Sequence, residues 1–280
     1  VIYKTLPKFS PFANGLRNHF DQRFEDPRRA TQDRFVWDYW HVPEQYTLLR
    51  TPAYQYFPPT LYKKFHMHLV NWGREHLGCH DISPTWLSSY VEGCFQGLHQ
   101  DEPHGPLAFV LSLTNWSKRE FSGGETLILK DRESSSGFRE QRQIFHYIAP
   151  QFNQLAVFDP SLTHGVNEVR GVRDPRQSRL VLHGWFLQPR VFWQGGLRAP
   201  QVGRVLDEQL PAILEHFPEM NGFISLRLQI TKTGKVTAIK KLFETINNPR
   251  EERTLIRALL ALSFPKTKSG AKLTLPMVFK

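Results

Sequence analysis

The sequence predicts a mainly β protein with flanking helices, a sandwich or barrel in its middle and a small α+β domain at its end. Three observations carry this. From Thr85 onward, short and partly alternating apolar runs (TWLSSYVEG, PLAFVLSLT, ETLILK, RQIFHYIA, QLAVF, SRLVLHGWFLQP) are separated by Gly, Pro, Asn and Asp. Many short strands with turn signals between them build sandwiches and barrels. Before these runs, LYKKFHMHLVNWGREHLG repeats Leu61, Phe65, Leu69, Trp72 and Leu77 near helical spacing and stops at Gly78. After them, FISLRLQI, VTAIKKLFETI, REERTLIRALLALSF and KLTLPMVF read as strand, strand, helix and strand.

Taken in order, residues from Phe9 to Cys79 read as mostly helical with loops, and Asp81-Ile-Ser-Pro as a turn. Pro189, Gly195, Gly196 and Pro200 mark a connector. VGRVLDEQLPAILEHF then forms one helix with a bend expected at Pro211, because proline removes a helix hydrogen bond. These signals give two domains, 1–200 and 201–280, with the β core of the first starting near residue 85. Internal repeats and low-complexity tracts are absent from the sequence.

Composition narrows the class. Of the 280 residues, 40% are hydrophobic and 22% charged, as in ordinary globular chains. The longest apolar runs fall well short of a helical membrane span, so no membrane partner is expected. VIYKTLPKFSPF lacks the charged-then-apolar pattern of a signal peptide. Two cysteines, Cys79 and Cys94, are too few for a disulfide framework and fit a reducing, cytoplasmic setting. The formal charge is +10 and the pI near 9.7, and the excess is uneven: from Glu219 onward 12 basic residues face 4 acidic ones. Such a tail attracts an acidic protein or peptide. Nucleic acid is not expected as a partner, since no recognised binding motif accompanies the charge.

The chemistry lies in the middle. GLHQDEPHG holds His99 and Asp101 two residues apart, and on a strand alternate side chains share a face. Alone, His-x-Asp arises often by chance. About 60 residues on, VFDPSLTHGV puts His164 at the end of an apolar strand. Two histidines and a carboxylate are the facial triad of non-haem Fe(II) oxygenases, which leaves coordination positions open. Arg179 begins the apolar strand SRLVLHGWF. An arginine there is costly to bury without a partner, and its planar fork suits a carboxylate. A structural salt bridge or an exposed strand edge would explain it equally well.

The ordered set YVEGCFQGLHQD, LTNWSKREFSGGETLIL, FDPSLTHGV and SRLVLHGWF resembles the prolyl-4-hydroxylase-like branch of the 2-oxoglutarate/Fe(II)-dependent oxygenases. It covers about Thr85 to Leu187, and Gly123-Gly124-Glu125 before a strand is typical of that branch. The resemblance implies a double-stranded β-helix (jelly-roll, cupin-like) core. It implies Fe(II) held by His99, Asp101 and His164, with 2-oxoglutarate and O2 as cosubstrates and ascorbate as a reductant. Arg179 would bind the distal carboxylate of 2-oxoglutarate, with Tyr90 and Thr126 lining the same pocket. The loop from His164 to Arg179 is longer than in many members, so Arg173 and Arg176 stand as rival anchors. Trp185, in step with Arg179, either walls the site or fills the core. His104 and His183 are further candidates for the substrate pocket, against the reading of satisfied core histidines, and His146 is left over.

The implied reaction is hydroxylation of a residue in a peptide or protein, with release of succinate and CO2. A free amino acid or small metabolite is the alternative substrate. Rivals from other classes are a non-catalytic metal-binding cupin, which needs no carboxylate anchor, and a partner-binding protein working through its tail. That tail has a weaker resemblance to the C-terminal domain of TonB-like proteins, which implies recognition by strand pairing.

Overall fold

The computed structural model describes residues 3–25, 37–101, 104–130, 144–246 and 248–279. Its first part contains β1 (Tyr3–Leu6), α1 (Ala13–Glu25), β2 (Asp38–Val42), β3 (Tyr46–Pro52), α2 (Ala53–Tyr56), α3 (Pro59–His76), β4 (Cys79–Ile82), β5 (Trp86–Tyr90) and β6 (Phe95–His99). There follow β7 (Leu107–Ser112), β8 (Thr126–Leu129), β9 (Phe145–Ile148), β10 (Leu155–Phe158), β11 (His164–Val166) and β12 (Arg179–Pro189). The last part holds β13 (Phe192–Gly195), α4 (Ala199–Leu214), β14 (Gly222–Ile230), β15 (Val236–Glu244), α5 (Pro249–Leu259) and β16 (Ala271–Phe279).

Two compact units divide the chain: Lys4–His68 with Ile82–Trp185, and Val1–Tyr3 with Leu69–Asp81 and Phe186–Lys280. In the first, an antiparallel sheet curls into a jelly-roll core, with strand order β1-β10-β7-β12-β5-β3-β6-β11-β8-β9 and β2 added to β3. Registers place the candidate residues. His164 lies opposite His99 across β11 and β6, and Val166 opposite Thr126 across β11 and β8. Arg179 lies opposite Tyr90 across β12 and β5, and Arg50 opposite Ser88 across β3 and β5. Because the side-chain period of a strand is two, these registers decide which residues face inward.

The Gly-Gly pair before β8 is required by the backbone. Gly123 has φ +77° and Gly124 φ +83°, a region where glycine alone is comfortable. A Cβ on Gly123 would sit 1.7 Å from the Glu168 carbonyl oxygen. The chain therefore passes close to the loop after β11, and the Gly124 carbonyl remains free to face inward.

The segment expected to be mostly helical contains the hairpin β2–β3, paired from Asp38↔Arg50 to Val42↔Tyr46. Its turn, Pro43-Glu44-Gln45, lacks the Asn-Gly or Asp-Gly pair that normally announces a hairpin, and Glu44 itself adopts φ +63°. Asp81 and Ile82, expected in a turn, close the short strand β4.

In the second unit the sheet order is β13-β16-β14-β15. The strand, strand, helix, strand pattern is present as expected, but β13, expected to be connector, pairs with β16 from Phe192↔Thr274 to Gly195↔Ala271. Val202 and Val205 of α4 share one core with Leu255, Leu259 and the sheet residues Leu226, Leu228 and Leu273. α4 runs through Pro211 and ends three residues later. Leu69–Asp81 belongs here because Thr274 Oγ1 donates to the Glu75 carbonyl at 3.2 Å. Gly78 (φ +70°) also lies so close to Pro276 that a Cβ would come within 2.7 Å. The division thus falls at Phe186 rather than near residue 200.

α5 is strongly amphipathic: Asn248 caps it by accepting from the backbone N–H of Arg250 and Glu251, and Leu255 and Leu259 are fully buried. Replacing Leu255 by Ala should destabilise the unit by about 2–5 kcal/mol, the usual cost of a cavity at a buried leucine. Thermal or denaturant unfolding of the full chain measures it, and a change within a few tenths of wild type would contradict this packing.

Candidate metal and carboxylate site

Every residue the sequence singled out for the site, apart from the rival anchors and His146, lines one cavity of about 400 Å³ in the jelly-roll unit. At one side lie His99, Asp101 and His164, whose potential ligand atoms all fall within 4.8 Å of one another. It is the only group of three or more such residues found among the described residues. Asp101 Oδ2 is 3.7 Å from His99 Nε2 and 3.6 Å from His164 Nε2.

The local backbone sets these side chains. His99 Nδ1–H donates to the Gly97 carbonyl at 2.8 Å, and His164 Nδ1–H donates to the Leu162 carbonyl at 2.8 Å. A carbonyl only accepts, so Nδ1 carries a proton in each ring, and Nε2 is the nitrogen that a metal would take once it is unprotonated. Phe158 meets the His164 ring at 4.9 Å, edge to face, and limits its rotation. The Asp101 backbone N–H donates to the Pro160 carbonyl at 2.8 Å and fixes the chain just after β6. Burial alone would raise the Asp101 pKa, but hydrogen bonding and charge from His164 and His99 outweigh it and hold the carboxyl well below its usual range. At His99 burial pushes downward, and Asp101 with the Gly97 carbonyl reverses the direction upward.

Across the cavity stands Arg179, only 1% exposed. Its Nε–H donates to the Gly124 carbonyl at 2.7 Å and its Nη2–H to Thr126 Oγ1 at 3.1 Å. The guanidinium lies over the Tyr90 ring at 4.5 Å, and the Tyr90 hydroxyl donates to Gln96 Oε1 at 3.3 Å. Nη1 is buried with no hydrogen-bond partner. Among the described residues no carboxylate lies within ion-pair distance of Arg179. Burial lowers its pKa while Tyr90 and Glu125 act in the opposite sense. The planar fork of a guanidinium left in this way suits a carboxylate.

The rival anchors lie elsewhere. Arg173 is exposed, and Arg176 is exposed and pairs with Asp174 at 2.8 Å. His183 faces the cavity two strand steps beyond Arg179, and its Nε2 shares a 2.8 Å hydrogen bond with Ser88 Oγ. Burial, then the charges of Arg179 and Arg50, push its pKa down to about 3. Trp185 packs against His104 with ring centres 4.5 Å apart and planes tilted by 40°, and among the described residues its Nε1–H is buried without a partner. His146, on β9, does not line the cavity. The sequence reading missed Arg50, which lines the cavity from β3. The signal was present: TLLRTP holds an arginine inside an apolar run, just as SRLVLHGWF does.

Residues 85–187 match the family described as the 2OG-Fe(II) oxygenase superfamily. That family implies Fe(II), 2-oxoglutarate and O2. No curated protein matches the chain. Among solved structures, a Pseudomonas putida prolyl-4-hydroxylase is 17% identical, with 67% of this chain and 92% of that one covered and a TM-score of 0.43. A Trichoplax adhaerens prolyl hydroxylase, in complex with a hypoxia inducible factor oxygen degradation domain peptide fragment, is 12% identical over 66% and 83%, with a TM-score of 0.40. The α-ketoglutarate-dependent epimerase SnoN from nogalamycin biosynthesis is 11% identical over 65% and 75%, with a TM-score of 0.43.

Two outcomes follow from the geometry. Replacing Asp101 by Ala should lower Fe(II) affinity by about tenfold or more, since even supporting partners of metal ligands are worth 10–100-fold. Equilibrium dialysis with metal analysis measures it, and wild-type affinity would place the metal elsewhere. The second concerns His183, whose pKa in the fold lies below its unfolded value near 6.5. Above about pH 6.5 both states are neutral. Between about 6.5 and 3 only the unfolded chain takes up a proton, so stability is lost as the pH falls through that window. Denaturant unfolding against pH should show a flatter acid limb for His183→Asn, and identical slopes would refute the neutral, buried state.

Proposed function

We propose that this chain is a 2-oxoglutarate- and Fe(II)-dependent dioxygenase that hydroxylates a residue in a peptide or protein. The observation that carries the reading is Arg179, a buried cation with an unpartnered Nη1, on the same cavity as a cluster of two histidines and one carboxylate. A metal-binding cupin has no use for such an anchor. The donor set suits Fe(II): imidazole and carboxylate on one side, with the rest of the coordination sphere open to ligands. The orphaned guanidinium suits a dicarboxylate.

In this reading His99, Asp101 and His164 would hold the iron, and Arg179 would hold the distal carboxylate of 2-oxoglutarate. When bound, the iron and its cosubstrates supply the oxidation, converting 2-oxoglutarate and O2 to succinate and CO2 while the substrate gains an oxygen atom. Gly124 O, Thr126 and Tyr90 keep the guanidinium in one orientation. His183 stays neutral and adds no charge to the pocket. Trp185 and His104 form a wall that shields the centre from water. The peptide reading is supported by the rim, where Leu98, next to His99, is 51% exposed and offers an apolar contact to an extended chain. A free amino acid or small metabolite would use the same residues, and mass spectrometry of a cell extract incubated with iron and cosubstrate separates the two.

Anaerobic addition of Fe(II) and 2-oxoglutarate should give a weak visible charge-transfer band. Arg179→Ala should raise the 2-oxoglutarate concentration needed for that band by about a hundredfold or more, since removing one partner of a buried charge pair costs roughly 3–5 kcal/mol. Iron should remain bound. Arg173→Ala and Arg176→Ala should leave the titration unchanged. Absence of the band in iron-loaded protein, or a shift in either of the last two variants, would sink the assignment.

A further inference from the structure

We propose that Arg50 binds a carboxylate of the substrate, so that the molecule oxidised is an acid: a free amino acid or a peptide with an acidic group. This rests on the oxygenase reading above.

Arg50 lines the cavity from β3. Among the described residues its side chain has no hydrogen bond and no ion pair, and its Nε is buried without a partner. Asp38 faces it across the hairpin but stays beyond ion-pair distance. The guanidinium is held between two indoles, with its central carbon 3.0 Å from the Trp40 ring centre and 4.2 Å from that of Trp86. The two rings flank the group and are inclined at 63° to each other. Its N–H groups have no protein partner among the described residues, and an arginine edge is the fork that donates two parallel hydrogen bonds to a carboxylate. Stacking also removes the rotamer entropy that a free arginine loses on binding, so the fork is pre-organised.

The cavity offers one arginine to a substrate anion. Its lining holds Arg50 and Arg179 against Asp101, with Glu44 exposed at the hairpin turn. The two charges of Fe(II) and the two of 2-oxoglutarate cancel, and Asp101 offsets one arginine. Of the two arginines, Arg50 is the one left for a substrate anion, because Arg179 is the more deeply buried and is fixed by Gly124 and Thr126. Trp185 Nε1–H, buried and unpartnered on the same cavity, is a further donor for a substrate oxygen.

The test uses the full chain loaded anaerobically with Fe(II) and 2-oxoglutarate, with the charge-transfer band as the readout. The probes are the free amino acids with their amides, and N-acetylated, C-amidated tripeptides with a central Glu or Asp with their Gln or Asn counterparts. At least one carboxylate should perturb the band at concentrations about tenfold or more below its amide, the range expected for a hydrogen bond to a charged group. Arg50→Gln should still form the band but lose the preference, and Arg50→Lys should restore part of it. The arm that responds, amino acid or peptide, identifies the source of the carboxylate. The proposal is overturned if no carboxylate perturbs the band, if the preference survives in Arg50→Gln, or if that variant no longer binds 2-oxoglutarate. A wild-type protein that forms no band at all overturns the oxygenase reading itself, and so separates the two failures.

Discussion

A guanidinium buried in the jelly-roll core, with no counter-ion among the described residues, is the constraint around which this unit is arranged. An unpaired buried charge costs several kcal/mol, and the surrounding structure meets only part of that. The Gly124 carbonyl and the Thr126 hydroxyl take two of the Arg179 donors, and the Tyr90 ring covers one face. Each support makes its own demand on the fold. The Gly123-Gly124 turn must take positive φ so that a carbonyl points inward, and β8 must align with β11 so that Thr126 reaches the same spot. The Nη1 donor has no partner among the described residues.

The cluster facing it is ordered by smaller means. Each histidine spends one ring nitrogen on a backbone carbonyl two residues before it, so strand geometry alone selects the tautomer. Asp101 follows β6 by two residues and is held ionised by its two histidine neighbours despite its burial. The cavity is thus polarised, with donors and positive charge on the β12 and β3 walls and lone pairs on the β6 and β11 wall.

Most of the candidate site was legible in the sequence because local signals fell in the order that carries the family resemblance. His99 and Asp101 share strand parity, His164 closes an apolar run, and Arg179 opens one; Trp185 follows Arg179 in the same phase. What stayed hidden depends on partners remote in sequence. β13 is strand only because it pairs with β16, some 80 residues on. Leu69–Asp81 joins the tail through Glu75 and Gly78, which meet Thr274 and Pro276. Arg50 carried the same local signal as Arg179. It was passed over because a hairpin turned by Pro-Glu-Gln looks like a loop between helices, and the strand around it went unread.

The hairpin has a consequence for how such a protein diversifies. Residues that would handle iron and cosubstrate lie within 85–187, the stretch that matches the oxygenase superfamily. Arg50 and Trp40 come from β2 and β3, upstream of it. The part of the wall that would distinguish one acid from another is therefore encoded separately from the part that would perform the oxidation. A change of length or register in Asp38–Pro52 moves Arg50 by one side-chain position and exchanges it for Leu49 or Thr51. Drift in that short segment retunes selectivity while the oxidising machinery is inherited intact, and a laboratory library confined to it would search the same space.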